Sequence, residues 1–152
     1  MKEGTSVLKY DFFLPMKIPS VTDQEKRIAV RNGKPFIYKD WRLKDAKQKF
    51  IAYLAQHRPE RPMEGPIMLK TGWFYEPTVG HPAGTYKTTK PDTDNLVKLF
   101  KDCMTRCGYW WDDAQVAVEL TEKLYGGRPG ILVSVCELDG SDDETDHSSV
   151  RA

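Results

Sequence analysis

Four acidic side chains and one lysine carry the strongest chemical signal in this chain. They lie in Lys90-Pro91-Asp92-Thr93-Asp94-Asn95-Leu96-Val97-Lys98 and, after a short amphipathic stretch, in Asp112-Asp113-Ala114-Gln115. Magnesium and manganese are hard cations that choose carboxylate oxygens and keep several waters. A site for either needs two or three acids converging from different elements. Asp92, Asp94 and Asp113 fit that demand, and Asp112-Asp113 arrives just before a strand that can serve as the platform for the third ligand. In extended backbone, residues i and i+2 point to one side, whereas a helix splays them by about 200°. Asp92 is therefore expected outside the helix that follows it. Lys98, four residues after Asp94, shares its face once the helix has begun. A cation there can oppose charge building on a phosphate, orient a water, or hold an aspartate. The implied chemistry is metal-assisted phosphodiester hydrolysis, in which Mg2+ or Mn2+ acts as a Lewis acid on the phosphate and makes a water more acidic. A plainer reading stands beside it: acids at a helix start are ordinary caps and dipole complements, and Asp-Asp after Trp110-Trp111 can form a turn.

The elements that must position these residues are legible in the hydrophobic pattern. Lys9–Leu14 reads as a first strand before an irregular loop marked by Pro15 and Pro19, and a second extended piece is expected around Phe36–Tyr38 after the Asn32-Gly33 turn. From Asp40, a plausible N-cap, Leu43, Ala46, Phe50 and Leu54 recur at helical spacing up to about His57. The other face of that helix carries Lys44, Lys47 and Lys49, near Lys39 and Arg42, and is either a solvated face or a phosphate-contacting one. Residues 66–75 read as a strand, 76–91 as a loop, 94–106 as a second helix, and Gln115–Tyr125 and Ile131–Cys136 as strands joined by a Gly126-Gly127 hairpin turn. The sum is an α+β domain: a small mixed sheet with two main helices packed on one face.

At 152 residues and 39% hydrophobic, the chain supports one domain with a core. The segment 139–152 holds five acids and one base and almost nothing apolar, so a disordered acidic tail is expected after a domain over 1–138. Removing it leaves 22 basic and 17 acidic residues, a net charge of +5 compatible with a polyanionic partner. No long apolar run and no signal-type N-terminus is present, so a cytoplasmic protein with no membrane role is expected. Cys103, Cys107 and Cys136 have neither disulfide nor zinc spacing and read as free thiols. His57, His81 and His147 lack ligand spacing, and no nucleophile triad or glycine-rich phosphate loop stands out.

The string Pro91-Asp92-Thr93-Asp94-Asn95-Leu96-Val97-Lys98-Leu99 with Trp111-Asp112-Asp113-Ala114-Gln115 downstream resembles the RusA family of Holliday junction resolvases of bacteria, phages and prophages. The resemblance covers about residues 10–137 and is strongest from 90 to 125. It implies a RusA-like fold and a homodimer making paired cuts in a four-way DNA junction. It also implies three aspartates (Asp92, Asp94, Asp113) binding Mg2+ or Mn2+, and Lys98 as the assisting cation. The family's proline- and basic-rich loop after the first strand is answered loosely by Pro15–Pro19 with Lys26, Arg27 and Arg31. Lys87 and Lys90 adjoin the site and, with Lys44, Lys47, Arg27 and Arg31, are the expected DNA contacts. Trp110, Trp111, Trp73 and Phe74 are aromatic enough to stack on unpaired bases but read first as core. Two other readings use the same residues. In one, the protein is a non-catalytic branched-DNA-binding module; in the other, it is an interaction component of a replication or recombination system acting through its acidic tail.

Overall fold

A computed structural model describes residues 7–20, 26–39 and 41–139. The expected N-cap Asp40, the acidic segment from 140 onward and His147 lie outside the described residues. The order of elements is β1 (Lys9–Pro15), β2 (Lys26–Arg31), β3 (Lys34–Lys39), α1 (Trp41–Ala55), β4 (Ile67–Tyr75), α2 (Thr93–Arg106), a 3-10 turn (Asp113–Gln115), β5 (Val116–Tyr125) and β6 (Gly130–Glu137). Four strands form one sheet in the order β1-β6-β4-β5, and β2 pairs only with β3. In the large sheet β4 and β5 are parallel and the other neighbours antiparallel. A parallel pair needs a crossover, and α2 supplies it between β4 and β5.

The sheet has one covered face, as the α+β pattern predicts. Alternation sends Leu14 of β1, Ile131, Val133 and Val135 of β6, and Ile67, Leu69 and Trp73 of β4 inward, all fully buried. They meet Leu43, Ala46, Phe50 and Leu54 of α1, and Leu96, Leu99, Phe100 and Cys103 of α2. At the centre, Phe50, Trp73 and Phe100 contact one another edge-on, with ring centroids 5.3–6.0 Å apart. On the opposite face Lys70 is exposed, as are Val118, Leu120 and Leu132.

Two departures from the expected order have local causes. Asn32 and Gly33 both have positive φ (54° and 76°), the geometry of a two-residue hairpin turn, and this turn joins β3 to a strand β2 that the sequence pattern had not marked. Arg27 and Arg31 thus sit on a paired strand and not in an open loop. The Gly126–Pro129 segment is not a hairpin turn, because β4 lies between β5 and β6. It wraps the end of β4: the Gly126 N–H donates to Tyr75 O at 2.9 Å, and a Cβ at Gly126 would stand 2.7 Å from the Phe74 ring.

Candidate active site

The site begins at the N-terminus of α2, where buried and exposed residues separate by helical period. Leu96, Val97, Leu99 and Phe100 are buried, while Asp94 and Lys98 are exposed and four residues apart. Asp92 occupies the N-cap position with extended backbone (φ −73°, ψ 148°), outside the helix as its proposed role requires. Its carbonyl accepts the Leu96 N–H at 3.1 Å, but its carboxylate makes no capping hydrogen bond. An aspartate at this position ordinarily accepts an N–H of the first turn, an interaction worth about 1 kcal/mol. Here the acid is exposed and left available for something else.

The loop that delivers Asp92 is laid along the outer edge of β5. Gly84 N–H donates to Tyr125 O (2.7 Å), Tyr125 N–H to Thr85 O (2.9 Å), and Lys87 N–H to Lys123 O (3.0 Å). Lys123 then reaches back from β5, and its ammonium donates to Thr89 O and to Pro91 O, both at 2.7 Å. Its pKa is pushed below the usual lysine value by partial burial and by Lys87, against a smaller opposing pull from Asp92. The Lys87 ammonium donates to Thr89 Oγ1 at 2.6 Å and lies over the Tyr75 ring, 4.9 Å from its centroid. Lys123 was not among the residues singled out from sequence. It lies on the strand face turned to the helices, whereas the apolar alternation Val118, Leu120 and Leu124 marks the other face of β5, so the hydrophobic pattern carries no signal for it.

The second acidic pair is held differently. Asp112 caps the 3-10 turn: its Oδ1 accepts the Ala114 N–H at 2.9 Å, and Gln115 Oε1 accepts the N–H groups of Asp112 (3.0 Å) and Trp111 (2.8 Å). The Gln115 amide donates in turn to Met63 O and Gly65 O. Asp113 is exposed and outside this cap. The plain reading of acids as caps therefore holds for Asp112, and Asp113 keeps the free carboxylate.

Within one copy of the chain these pairs do not meet. Asp92 and Asp94 stand at the Lys123 end of β5, Lys101 of α2 is paired with Glu119 midway at 2.8 Å, and Asp113 precedes Val116 at the other end. The Trp110 indole N–H, donated to Thr105 Oγ1 at 2.7 Å, keeps that second pair beside the C-terminal turn of α2. Asp94 and Asp113 are thus separated by the length of the helix, roughly 20 Å at 1.5 Å per residue. Accordingly, no group of three His, Cys, Asp or Glu side chains able to hold a metal forms among the described residues. Asp92 and Asp94 therefore stand at one end of α2 and Asp113 at the other.

The basic candidates divide by exposure. Lys44 and Lys90 are exposed and Lys87 is partly covered. Lys47 is corrected: it is 7% exposed, in the seam between the helices, with its ammonium 3.3 Å from Asp102 and not on a solvent face. Arg27 and Arg31 are placed only as positions on β2. Trp73 and Trp110 are core, Phe74 is half-buried, and Trp111 beside the second pair is 69% exposed. Cys103 and Cys107 are buried free thiols; burial, with Asp102 adding to it, pushes Cys103 up to about 12, far from nucleophilic chemistry. Among the described residues no helix is long and apolar enough to cross a membrane.

The chain is 31% identical over 130 residues to YqaN of Bacillus subtilis (strain 168), covering 78% of this chain and 90% of that protein. It is 27% identical over 133 residues to the crossover junction endodeoxyribonuclease rusA of Lactococcus phage r1t, covering 86% of this chain and all of that one. The family model of Endodeoxyribonuclease RusA matches residues 18–136, a span that holds α2, both acidic pairs and Lys98, so the chain belongs to the RusA endodeoxyribonuclease family.

Proposed function

We propose that this nuclease resolves four-way DNA junctions by paired, Mg2+- or Mn2+-dependent phosphodiester hydrolysis, as a homodimer with two composite sites. The observation that carries the reading is the N-cap Asp92, which makes no cap and sits beside the exposed Asp94 and Lys98. Three hard carboxylates suit a divalent ion, and the group they lack within one chain is Asp113, at the far end of α2. A twofold axis through the middle of α2 and β5 would set Asp113 of the partner subunit against Asp92 and Asp94, twice per dimer. Two equivalent sites match the twofold symmetry of a four-way junction. The stretch of β5 before Lys123, on the open edge of the sheet, offers a seam for such a dimer.

When bound, the cation supplies Lewis-acid polarisation of the scissile phosphate and acidifies the attacking water. The chain's own part is to hold that cation with Asp92, Asp94 and the partner subunit's Asp113. Lys98 opposes the charge developing on the phosphate, and Lys90 and Lys44 contact the DNA backbone. The phage relative, itself a crossover junction endodeoxyribonuclease, supports the choice of substrate. We assign the action to DNA inside a bacterial cell, with a phage or prophage as its source.

The test compares a synthetic four-way junction with a linear duplex of matched sequence, in magnesium, manganese or chelator, for the wild type and Asp94→Asn. Symmetric cuts in the junction alone, lost in chelator and in Asp94→Asn while gel-shift affinity for the junction persists, are expected. Equal cutting of both DNAs, or normal cutting by Asp94→Asn, overturns the assignment; junction binding with no cutting under any condition would leave a branched-DNA-binding module.

A further inference from the structure

Asp92 has an unusual support. Its side chain does not tie it to the helix it caps, and the residue before it, Pro91, has no N–H to anchor the incoming backbone. On the helix side its carbonyl holds the Leu96 N–H. On the loop side, the carbonyls of Thr89 and Pro91 are gathered by one ammonium, that of Lys123, at 2.7 Å each. That lysine is half-buried on a strand whose backbone already holds the same loop through Lys87 N–H to Lys123 O. Lys87 grips the segment from the adjoining side through Thr89 Oγ1. A charge-assisted bond to a carbonyl is among the stronger protein hydrogen bonds, and two of them converge next to a carboxylate that makes no hydrogen bond to the helix it precedes.

We propose that Lys123 is a positioning residue: it sets the place of Asp92 by clamping the 89–91 backbone, and so controls metal affinity without touching DNA or metal. This rests on Asp92 being a metal ligand. Residues that orient metal ligands usually cost 10–100-fold in metal affinity when removed. The role separates Lys123 from Lys98 and Lys90, whose ammonium groups face the substrate in our reading.

The experiment titrates Mn2+ into the full chain and follows free Mn2+ by electron paramagnetic resonance, alongside cleavage at varied Mn2+ and junction binding in Ca2+. Lys123→Met keeps the aliphatic stem and removes both hydrogen bonds. It should raise the Mn2+ dissociation constant about 10-fold or more. The cleavage optimum should shift to correspondingly higher Mn2+, with junction affinity within about twofold of wild type. Lys123→Arg, which retains charge and donors, should recover most of the loss. If Lys123→Met lowers thermal stability too far for assay, Lys123→Gln, with an amide able to make one of the two bonds, should give an intermediate shift. Unchanged Mn2+ affinity in a folded Lys123→Met, or a loss of junction affinity instead, overturns the proposal. Asp92→Asn is the control: if it binds Mn2+ like wild type, the ligand reading of Asp92 fails, whereas lost binding in Asp92→Asn with normal binding in Lys123→Met removes only the role of Lys123.

Discussion

The two acidic pairs at opposite ends of α2 share a composition and differ in how their carboxylates are used. At the C-terminal end, Asp112 is engaged by backbone N–H groups and reciprocated by Gln115, so one acid builds the turn that presents the other. At the N-terminal end, neither acid is needed as a cap; the turn is built from behind by Lys123, and both carboxylates stay exposed. The pair with an outside support can offer two ligands and the self-supporting pair only one. A two-plus-one set matches a three-acid site, provided the ends of two helices are brought together.

The sharpest way to break this comparison is to inactivate the two ends in different copies. Asp94→Asn and Asp113→Asn should each abolish cleavage on their own, by more than the roughly 100-fold that loss of a supporting residue causes. Mixed in equal amounts after co-refolding, half of the dimers carry one variant of each kind. In those, one composite site has both substitutions and the other has none. Single-strand nicking should therefore return to about a quarter of the wild-type site count, while paired cutting stays absent. A site assembled within one chain gives no recovery at all, so a mixed sample that remains inactive while still dimeric by sedimentation would rule out the composite arrangement.

Much of this was legible in sequence because it rests on local rules. The period of Leu43, Ala46, Phe50 and Leu54 marked α1, and the string from Asp92 to Lys98 marked both a helix start and its exposed face. What escaped depended on non-local placement. Gly126-Gly127 has the composition of a hairpin turn, and only the insertion of β4 between β5 and β6 makes it a wrap around a strand end. Lys47 looks like its neighbours Lys44 and Lys49 until α2 packs against it and Asp102 meets its ammonium. The distance between Asp94 and Asp113 follows from α2 and β5 running side by side, which no spacing rule supplies.

A smaller effect is expected at Asp112, where the comparison predicts structure in place of chemistry. Asp112→Ala removes one cap acceptor, at a cost of about 1 kcal/mol, a fall of a few degrees in Tm for a domain of this size. Gln115 keeps its bonds to Met63 O and Gly65 O, so the turn should persist and cleavage should drop far less than in Asp113→Asn. Thermal unfolding and junction cleavage measured on both variants decide it: an Asp112→Ala protein as inactive as Asp113→Asn would move the third ligand to Asp112.

The smallest effect separates two lysines on one helix. Lys44 is exposed on α1 and Lys47 is enclosed between α1 and α2 with Asp102 at 3.3 Å. If α1 faces the junction, Lys44→Ala removes one phosphate contact, weakening binding a few-fold and lowering the slope of log affinity against log salt by about one. Lys47→Met keeps the buried stem and loses only the ion pair, so junction affinity and salt slope should match wild type while stability shifts modestly. Gel shifts over a series of salt concentrations read both. A reduced slope in Lys47→Met would mean that the seam between the helices opens on DNA, and no change in Lys44→Ala would turn α1 away from the junction and leave backbone contacts to the Lys90 end of the loop.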